Sequence, residues 1–341
     1  MSRDTVTSHD VAKLAGVSRT TVSYVLNAVE TANISSDTRQ RVRAAADELS
    51  YVPNAAAQML AGQRTHIIGL VFPRTYPHLS THMFLLEVME GLVGVAQQNG
   101  VRLLIDSVES SLEDAYVELV RSKRIDGLIL IDLLLADDQS LRSLVDDGFP
   151  MVSIGWMHDD ICCVDVNNRT GAQTAVEHLI SLGHTRIACI TNFPVTERTP
   201  SARLEGYRDA LAAADIPFDE RLVKSGQYSP ESGFAAMEEL LVATAQPTAV
   251  FVASDIVAFG AMQAIQTRGL AIPDDVVVIG FDDLPLARFA NPPLSTVHVP
   301  ADRQGQLAGQ LLIDKIHEKS VSTHTWLETQ LVIRESTVGY S

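Results

Sequence analysis

Cysteine is scarce in this sequence. The 341-residue chain has three, Cys162, Cys163 and Cys189, an odd number that builds no disulfide framework, at a spacing that makes no zinc site. Reduced thiols buried beside strands are expected. Long apolar runs are also missing: none approaches the ~18 residues of a membrane span. Residues 1–10 hold no apolar core of a secretory leader, so a cytoplasmic protein is expected. Positive charge is short too, with 26 Lys and Arg against 42 Asp and Glu and a net charge of −16. Taken whole, that balance argues against a nucleic-acid partner. The apolar fraction of 46% with 20% charged residues is that of a folded protein and excludes disorder. A chain of this length accommodates two or three domains.

The charge is unevenly placed. Residues 1–64 carry Arg3, Lys13, Arg19, Arg39, Arg41, Arg43 and Arg64 against Asp4, Asp10, Glu30, Asp37, Asp47 and Glu48, a net of +1 that leaves −17 for the remainder. A small, locally basic module is therefore free to approach phosphates.

That module reads as three short helices. Thr7, Ser8, His9 and Asp10 form a capping box, and Val11, Leu14 and Ala15 follow at helical spacing. Gly16 and Val17 break the helix, and Ser18 caps a second from Arg19 to about Asn27 with Val22, Val25 and Leu26 inward. A third starts after Ser35 or Ser36, with Val42, Ala45, Ala46 and Leu49 on one face. The Gly-containing turn makes the arrangement a helix-turn-helix. After Pro53 and Asn54, residues 55–60 form a helix-prone stretch ended by Gly62. It is too short to be stable alone, because isolated helices below ~12–15 residues are marginal.

From His66 the period changes. Apolar runs at 67–72, 101–106, 127–131, 151–154, 162–166, 187–191, 249–253 and 276–279 alternate with helical faces such as Leu85, Val88, Met89, Leu92, Val95, Ala96 and Ala172, Ala175, Val176, Leu179, Ile180. Near-continuous apolar strands between helices mean parallel sheets covered on both sides, so the fold class is α/β. About 270 residues of this pattern suggests two lobes.

Both parts carry candidate binding groups. An α-helix fits the major groove and presents its N-terminal residues to base edges. Arg19 can grip guanine, Thr20 can donate, accept or touch a thymine methyl, and Tyr24 lies one turn on. Thr7, Ser18, Thr21, Ser23 and Asn27 can bind phosphates. The alternative is a three-helix module that docks a protein in a cytoplasmic small-molecule binder. Open α/β sheets bind ligands beyond the carboxyl ends of their strands, which points to Arg74, Tyr76, Asp132, Trp156, Ser254 and Asp282. Their carboxylates, guanidinium and aromatic faces suit a polyhydroxylated ring, and a nucleoside satisfies much the same groups. Core packing is the alternative for Trp156. No Walker A, G-x-S-x-G or H-E-x-x-H sequence occurs, and Gly91 to Gly100 lies within a helical pattern and is no dinucleotide fingerprint. No catalytic constellation, cofactor or metal site is expected.

The string from Thr7 to Asn27, then residues 51–54 and 58–62, resembles the lactose/galactose repressor (LacI/GalR) family of bacterial transcription regulators. The likeness continues through residues 176–179, 182–184, 202–207, 254–255, 260–262, 280–283 and 293–297. It implies a helix-turn-helix domain at 1–52, a hinge helix and linker at 53–65, and a two-lobed periplasmic-binding-protein-like domain at 66–341. The first lobe would span about 66–165 and 298–324, the second about 166–297 and 325–341. The resemblance further implies a homodimer on a pseudo-palindromic operator, hinge helices paired in the minor groove through Asn54 and Ala57, and Leu60 wedged between base pairs. It adds Arg203 and Tyr228 as effector contacts, although Arg203 and Asp282 also fit a simple ion pair. A sugar effector follows from the family. One position departs: the family usually has Arg where this chain has Tyr24, which removes a charge from the phosphate attraction. The chain stops soon after residues 329–334 without a heptad tail, so a dimer is expected over a tetramer.

Overall fold

The computed structural model describes residues 6–26, 33–51, 64–73, 82–108, 115–131, 139–155, 160–192, 201–243 and 246–338. The chain divides into two units, Met1–His66 and Ile67–Ser341.

In the first unit, α1 (Ser8–Ala15), α2 (Arg19–Leu26) and α3 (Ser36–Glu48) enclose a core of small residues: Val11, Ala12, Ala15, Val22, Val25, Val42, Ala45 and Ala46. Each helix start is fixed by a short polar side chain. The Asp10 carboxylate accepts from the Thr7 N–H at 2.8 Å and the Thr7 hydroxyl at 2.7 Å. Ser18 Oγ accepts from the Thr21 N–H at 3.1 Å, and Ser35 Oγ from the Thr38 N–H at 3.2 Å. Gly16 ends α1 at φ +66°, a left-handed conformation that a side chain would oppose. Arg41 of α3 donates to the Ala15 carbonyl at 3.0 Å, satisfying a terminal acceptor of α1 that the helix itself leaves open.

The second unit has two parallel sheets. The first has strand order β11-β5-β4-β3-β1-β2, with β1 (Ile67–Pro73), β2 (Arg102–Val108), β3 (Gly127–Ile131), β4 (Met151–Ile154), β5 (Cys162–Val166) and β11 (His324–Leu327). The second runs β7-β6-β8-β9, from Val223–Ser225, Ile187–Thr191, Ala249–Val252 and Val277–Ile279. Successive residues point to opposite faces of a strand, and here both faces are covered. Ile129 and Ile131 enter one core with α4 (Met83–Asn99) and α11 (Ala301–Ile316), whereas Leu128 and Leu130 enter the other with α5 (Ala115–Arg121) and α6 (Gln139–Asp146). The second sheet is flanked in the same way by α7 (Asn168–Ser181) with α8 (Ala202–Ala213), and by α9 (Pro230–Val242) with α10 (Asp255–Thr267). Burial on two faces is why the inner strands, such as β3, β4, β6 and β8, read as unbroken apolar runs.

The chain crosses between lobes after β5, after β10 (Thr296–His298) and after β11, and β10 pairs antiparallel with β12 (Gln330–Val332). Three strands were not anticipated from the sequence: β7, β10 and β11 are only three or four residues long, and their mixed burial gives no apolar run. Residues 325–327, assigned by the sequence to the second lobe, extend the first sheet through β11, which pairs with β5. The three cysteines are buried and free. No helix among the described residues is long and apolar enough to cross a membrane.

Helix pairs meet backbone to backbone through glycine. A Cβ on Gly91 of α4 would fall onto the Asp302 carbonyl oxygen of α11, and one on Gly305 onto the Val88 carbonyl oxygen. Gly94, also in α4, has nothing within 4 Å of its Cβ position. Gly91→Ala should therefore destabilise the protein by about 1–3 kcal/mol through overpacking. Gly94→Ala should stabilise it by up to about 1 kcal/mol through helix propensity. Denaturant midpoints check the pair; equal effects would mean that α4 and α11 do not touch at Gly91.

Candidate functional site

The two units each present a polar surface. In the first, α2 turns Val22 and Val25 inward and leaves Arg19, Thr20 and Tyr24 exposed, Tyr24 by 43%. Thr20 and Tyr24 are four residues apart and share a face, with Arg19 beside them at the helix start. Ser18 and Thr7 are exposed and Thr21 and Ser23 half-buried. The Ser18 and Thr21 hydroxyls are bonded at 2.9 Å, so the helix start is a fixed polar edge. Asn27, Asn54, Ala57 and Leu60 lie outside the described residues.

In the second unit a buried polar chain gathers where strands end and lobes meet. Asp165, in β5, accepts from Asn168 Nδ2 at 3.2 and 3.3 Å. Asn168 Oδ1 accepts from Arg203 Nε at 2.9 Å, and Arg203 Nη1 donates to Asp282 Oδ1 at 3.1 Å. The Ser254 hydroxyl donates to Asp282 Oδ2 at 3.0 Å. The guanidinium also lies 3.8 Å from the centroid of the Phe281 ring, a cation–π contact. Of the effector candidates named from sequence, the structure thus brings Arg203, Ser254 and Asp282 into one network, and the expected ion pair is present within it. Arg74, Tyr76, Asp132 and Trp156 lie outside the described residues.

Tyr228 joins this region from another direction. Its hydroxyl accepts from Asn192 Nδ2 at 2.7 Å, its N–H donates to the Asn192 carbonyl at 3.0 Å, and its ring stacks on His82 with centroids 6.3 Å apart and planes at 17°. His82 belongs to the first lobe, where Nδ1 accepts from the Leu85 N–H at 3.2 Å and caps α4. Phe84 packs on the cores of both lobes. The lobes are therefore in contact through aromatic groups on one side of the polar chain.

Burial governs the electrostatics. It pushes the Asp165 carboxyl up to about 6 and raises Asp282, where the Arg203 charge and the Ser254 hydroxyl oppose it. His82 is pushed down to about 4 by burial, so its ring is neutral. Glu87 of α4 is pushed up to about 7, first by burial and then by the neighbouring charges of Asp282, Asp302, Asp283 and Glu90. Asp282 and Asp283 hold positive φ angles of 114° and 60°, a backbone strain of the kind found at ligand sites. It is supported by Arg334, which donates to Asp283 Oδ1 at 2.6 Å, and by His298 at 3.2 Å from Asp283 Oδ2.

His82, Asp165, Asn168, Asn192, Phe281 and Gln304 were missed from sequence. Asn192 follows β6 directly and Asp165 is the last residue but one of β5, so the rule of strand ends reaches both. Gln304 is a polar residue on the apolar face of α11, a legible signal. His82 and Phe281 carry none.

Residues 7–54 match the bacterial regulatory proteins of the lacI family, and residues 176–337 match a periplasmic binding protein-like domain. The HTH-type transcriptional regulator CelR of Thermobifida fusca is 36% identical over 333 residues, 96% of either chain. Among solved structures, a transcriptional regulator CelR–cellobiose complex is 34% identical, with a TM-score of 0.73 over 97% of this chain and 99% of that one. The lac repressor dimer bound to operator and the anti-inducer ONPF is 31% identical, with a TM-score of 0.85 over 98% and 99%.

Glu87 supplies a pH test. Its pKa is raised in the folded state, so the folded protein holds this proton more tightly and stability falls as pH rises between about 4 and 7. Glu87→Gln should melt higher than wild type at pH 8 and close to it at pH 5. The same difference at both values would mean that Glu87 is not held near these carboxylates.

Proposed function

The chain belongs to the lacI family of bacterial regulatory proteins, and from that premise we propose that it is a sequence-specific DNA-binding repressor of transcription. Its operator affinity is controlled by a small molecule, a sugar or sugar derivative, in the cleft between its lobes. The observation that carries this reading is the joint presence of an exposed polar face on α2 and a buried Arg203–Asp282–Ser254 network at the strand ends of a two-lobed unit. The protein acts on DNA in the cytoplasm, and its relatives are regulators, not enzymes.

On DNA, Arg19, Thr20 and Tyr24 face base edges while Thr7, Ser18, Thr21, Ser23 and Asn27 hold phosphates. The segment at 53–65 folds as a hinge helix when paired with that of a second copy, with Asn54 and Ala57 in the minor groove and Leu60 between base pairs. A homodimer on a pseudo-palindromic site follows. The exposed Leu86 and Val93 of α4, seven residues apart on one face, and Leu286 and Phe289 of the second lobe support a second copy as partner.

The effector candidates are Arg203, Tyr228, Ser254 and Asp282, with Arg74, Tyr76, Asp132 and Trp156, which follow first-lobe strands in the sequence. A ligand there shifts the lobes only by as much as its affinity differs between their arrangements. The coupling is reciprocal, so operator DNA changes ligand affinity by the same factor.

Selection of bound duplexes from randomised DNA at about 0.15 M salt tests the reading, since non-specific attraction is then weak. The expected product is a symmetric motif, and no enrichment with or without added sugars would overturn the proposal. On that motif Arg19→Ala should cost about 1–3 kcal/mol and relax preference at one base position. A uniform loss across sequences would assign Arg19 to phosphate instead.

A further inference from the structure

We infer that Gln304 is a specificity-determining residue whose side-chain oxygen accepts a hydrogen bond from a hydroxyl of an uncharged ligand, with Asn192 offering a second acceptor from the opposite lobe. This rests on the ligand cleft proposed above and names the chemistry it selects.

Gln304 sits on the inner face of α11, where Ala301, Gly305, Ala308 and Leu312 are buried at helical spacing. It is itself 1% exposed, and its Oε1 is buried and accepts no hydrogen bond among the described residues. A leucine would fill this position without stranding a polar atom, and a buried acceptor without a donor is destabilising. Its place in the fold relates it to the cleft. α11 enters the first lobe directly from the β10 crossover, and the Val299 N–H just before it donates to the Asp282 carbonyl at 3.2 Å. The first turn of α11, which holds Gln304, therefore begins beside the residue that anchors the polar network.

Asn192 repeats the pattern in the second lobe. It is 4% exposed, its Nδ2 is committed to the Tyr228 hydroxyl at 2.7 Å, and its Oδ1 is buried and accepts nothing among the described residues. Two amide oxygens require donors, and hydroxyl groups supply them. The charges near them disfavour an anion. Among the described residues named around the cleft the cations are already engaged, Arg203 by Asp282, Asn168 and Phe281 and Arg334 by Asp283, whereas Asp165, Glu87 and Asp302 add carboxylates. A uronate or sugar phosphate meets more negative than positive charge here.

The test uses the full-length protein and a fixed set of probes: glucose, cellobiose, glucuronate and glucose 6-phosphate, measured by thermal shift and then calorimetry. A neutral sugar should bind. Gln304→Leu should weaken it about tenfold, the scale of one hydrogen bond, and should leave the melting temperature without sugar unchanged or higher because an unsatisfied atom is gone. Asn192→Ala should weaken the same sugar. A purely structural Gln304 would instead lower the melting temperature and leave affinity alone. Unchanged affinity in both variants, or preference for an anionic probe, would overturn the inference while leaving a ligand cleft in place. Failure of every probe to bind would overturn the sugar reading of the cleft and this inference with it.

Discussion

The second unit depends on how Asp282 is held. Its side chain is pinned by Arg203 and Ser254, while its backbone is pinned by the crossover strand: the Asp282 N–H donates to the Val297 carbonyl at 2.8 Å and its carbonyl accepts from Val299. A residue at φ 114° persists only where its surroundings over-determine it. One residue, through its side chain and its backbone together, thus ties the second lobe's strand ends to the segment that leads into the first lobe. A ligand touching this carboxylate acts on the crossover as well as on the pocket wall.

The buried carboxylates give the cleft a second property. Asp165, Asp282 and Glu87 are all raised by burial, and the single guanidinium among these groups is shared through a chain of hydrogen bonds. Protonation of Glu87 removes repulsion between α4 and the Asp282 turn, whereas Asp282 keeps its charge opposite Arg203.

Much of this was legible in sequence for a definite reason. Strands such as β3 and β5 bury both faces, and two-sided burial writes itself as an apolar run; the helix-turn-helix was legible because Thr7, Gly16, Ser18 and Ser35 are local signals that act within a few residues. The strands β7, β10 and β11 were not, since each is only three or four residues long, β7 and β11 are half-exposed, and β10 sets its one apolar residue between Thr296 and His298. The site followed the same division. Ser254 and Asp282 follow strands and were found by that rule, whereas His82 matters only because the fold brings Tyr228 onto its ring from far along the chain. Gly91 was read as part of a spacing that failed a nucleotide test, and its true constraint, the Asp302 carbonyl, lies on a helix more than two hundred residues later.

The crossovers also set an order of completion. α1 to α3 end by Glu48, while the first lobe lacks α11 and the edge strand β11 until Leu327. At roughly 5–20 residues per second, synthesis leaves an interval on the order of tens of seconds in which the nascent chain has folded its exposed α2 face and has neither lobe closed around a cleft. The helices that carry the α2 face are made first, and the lobes that hold the Asp282 network are finished last.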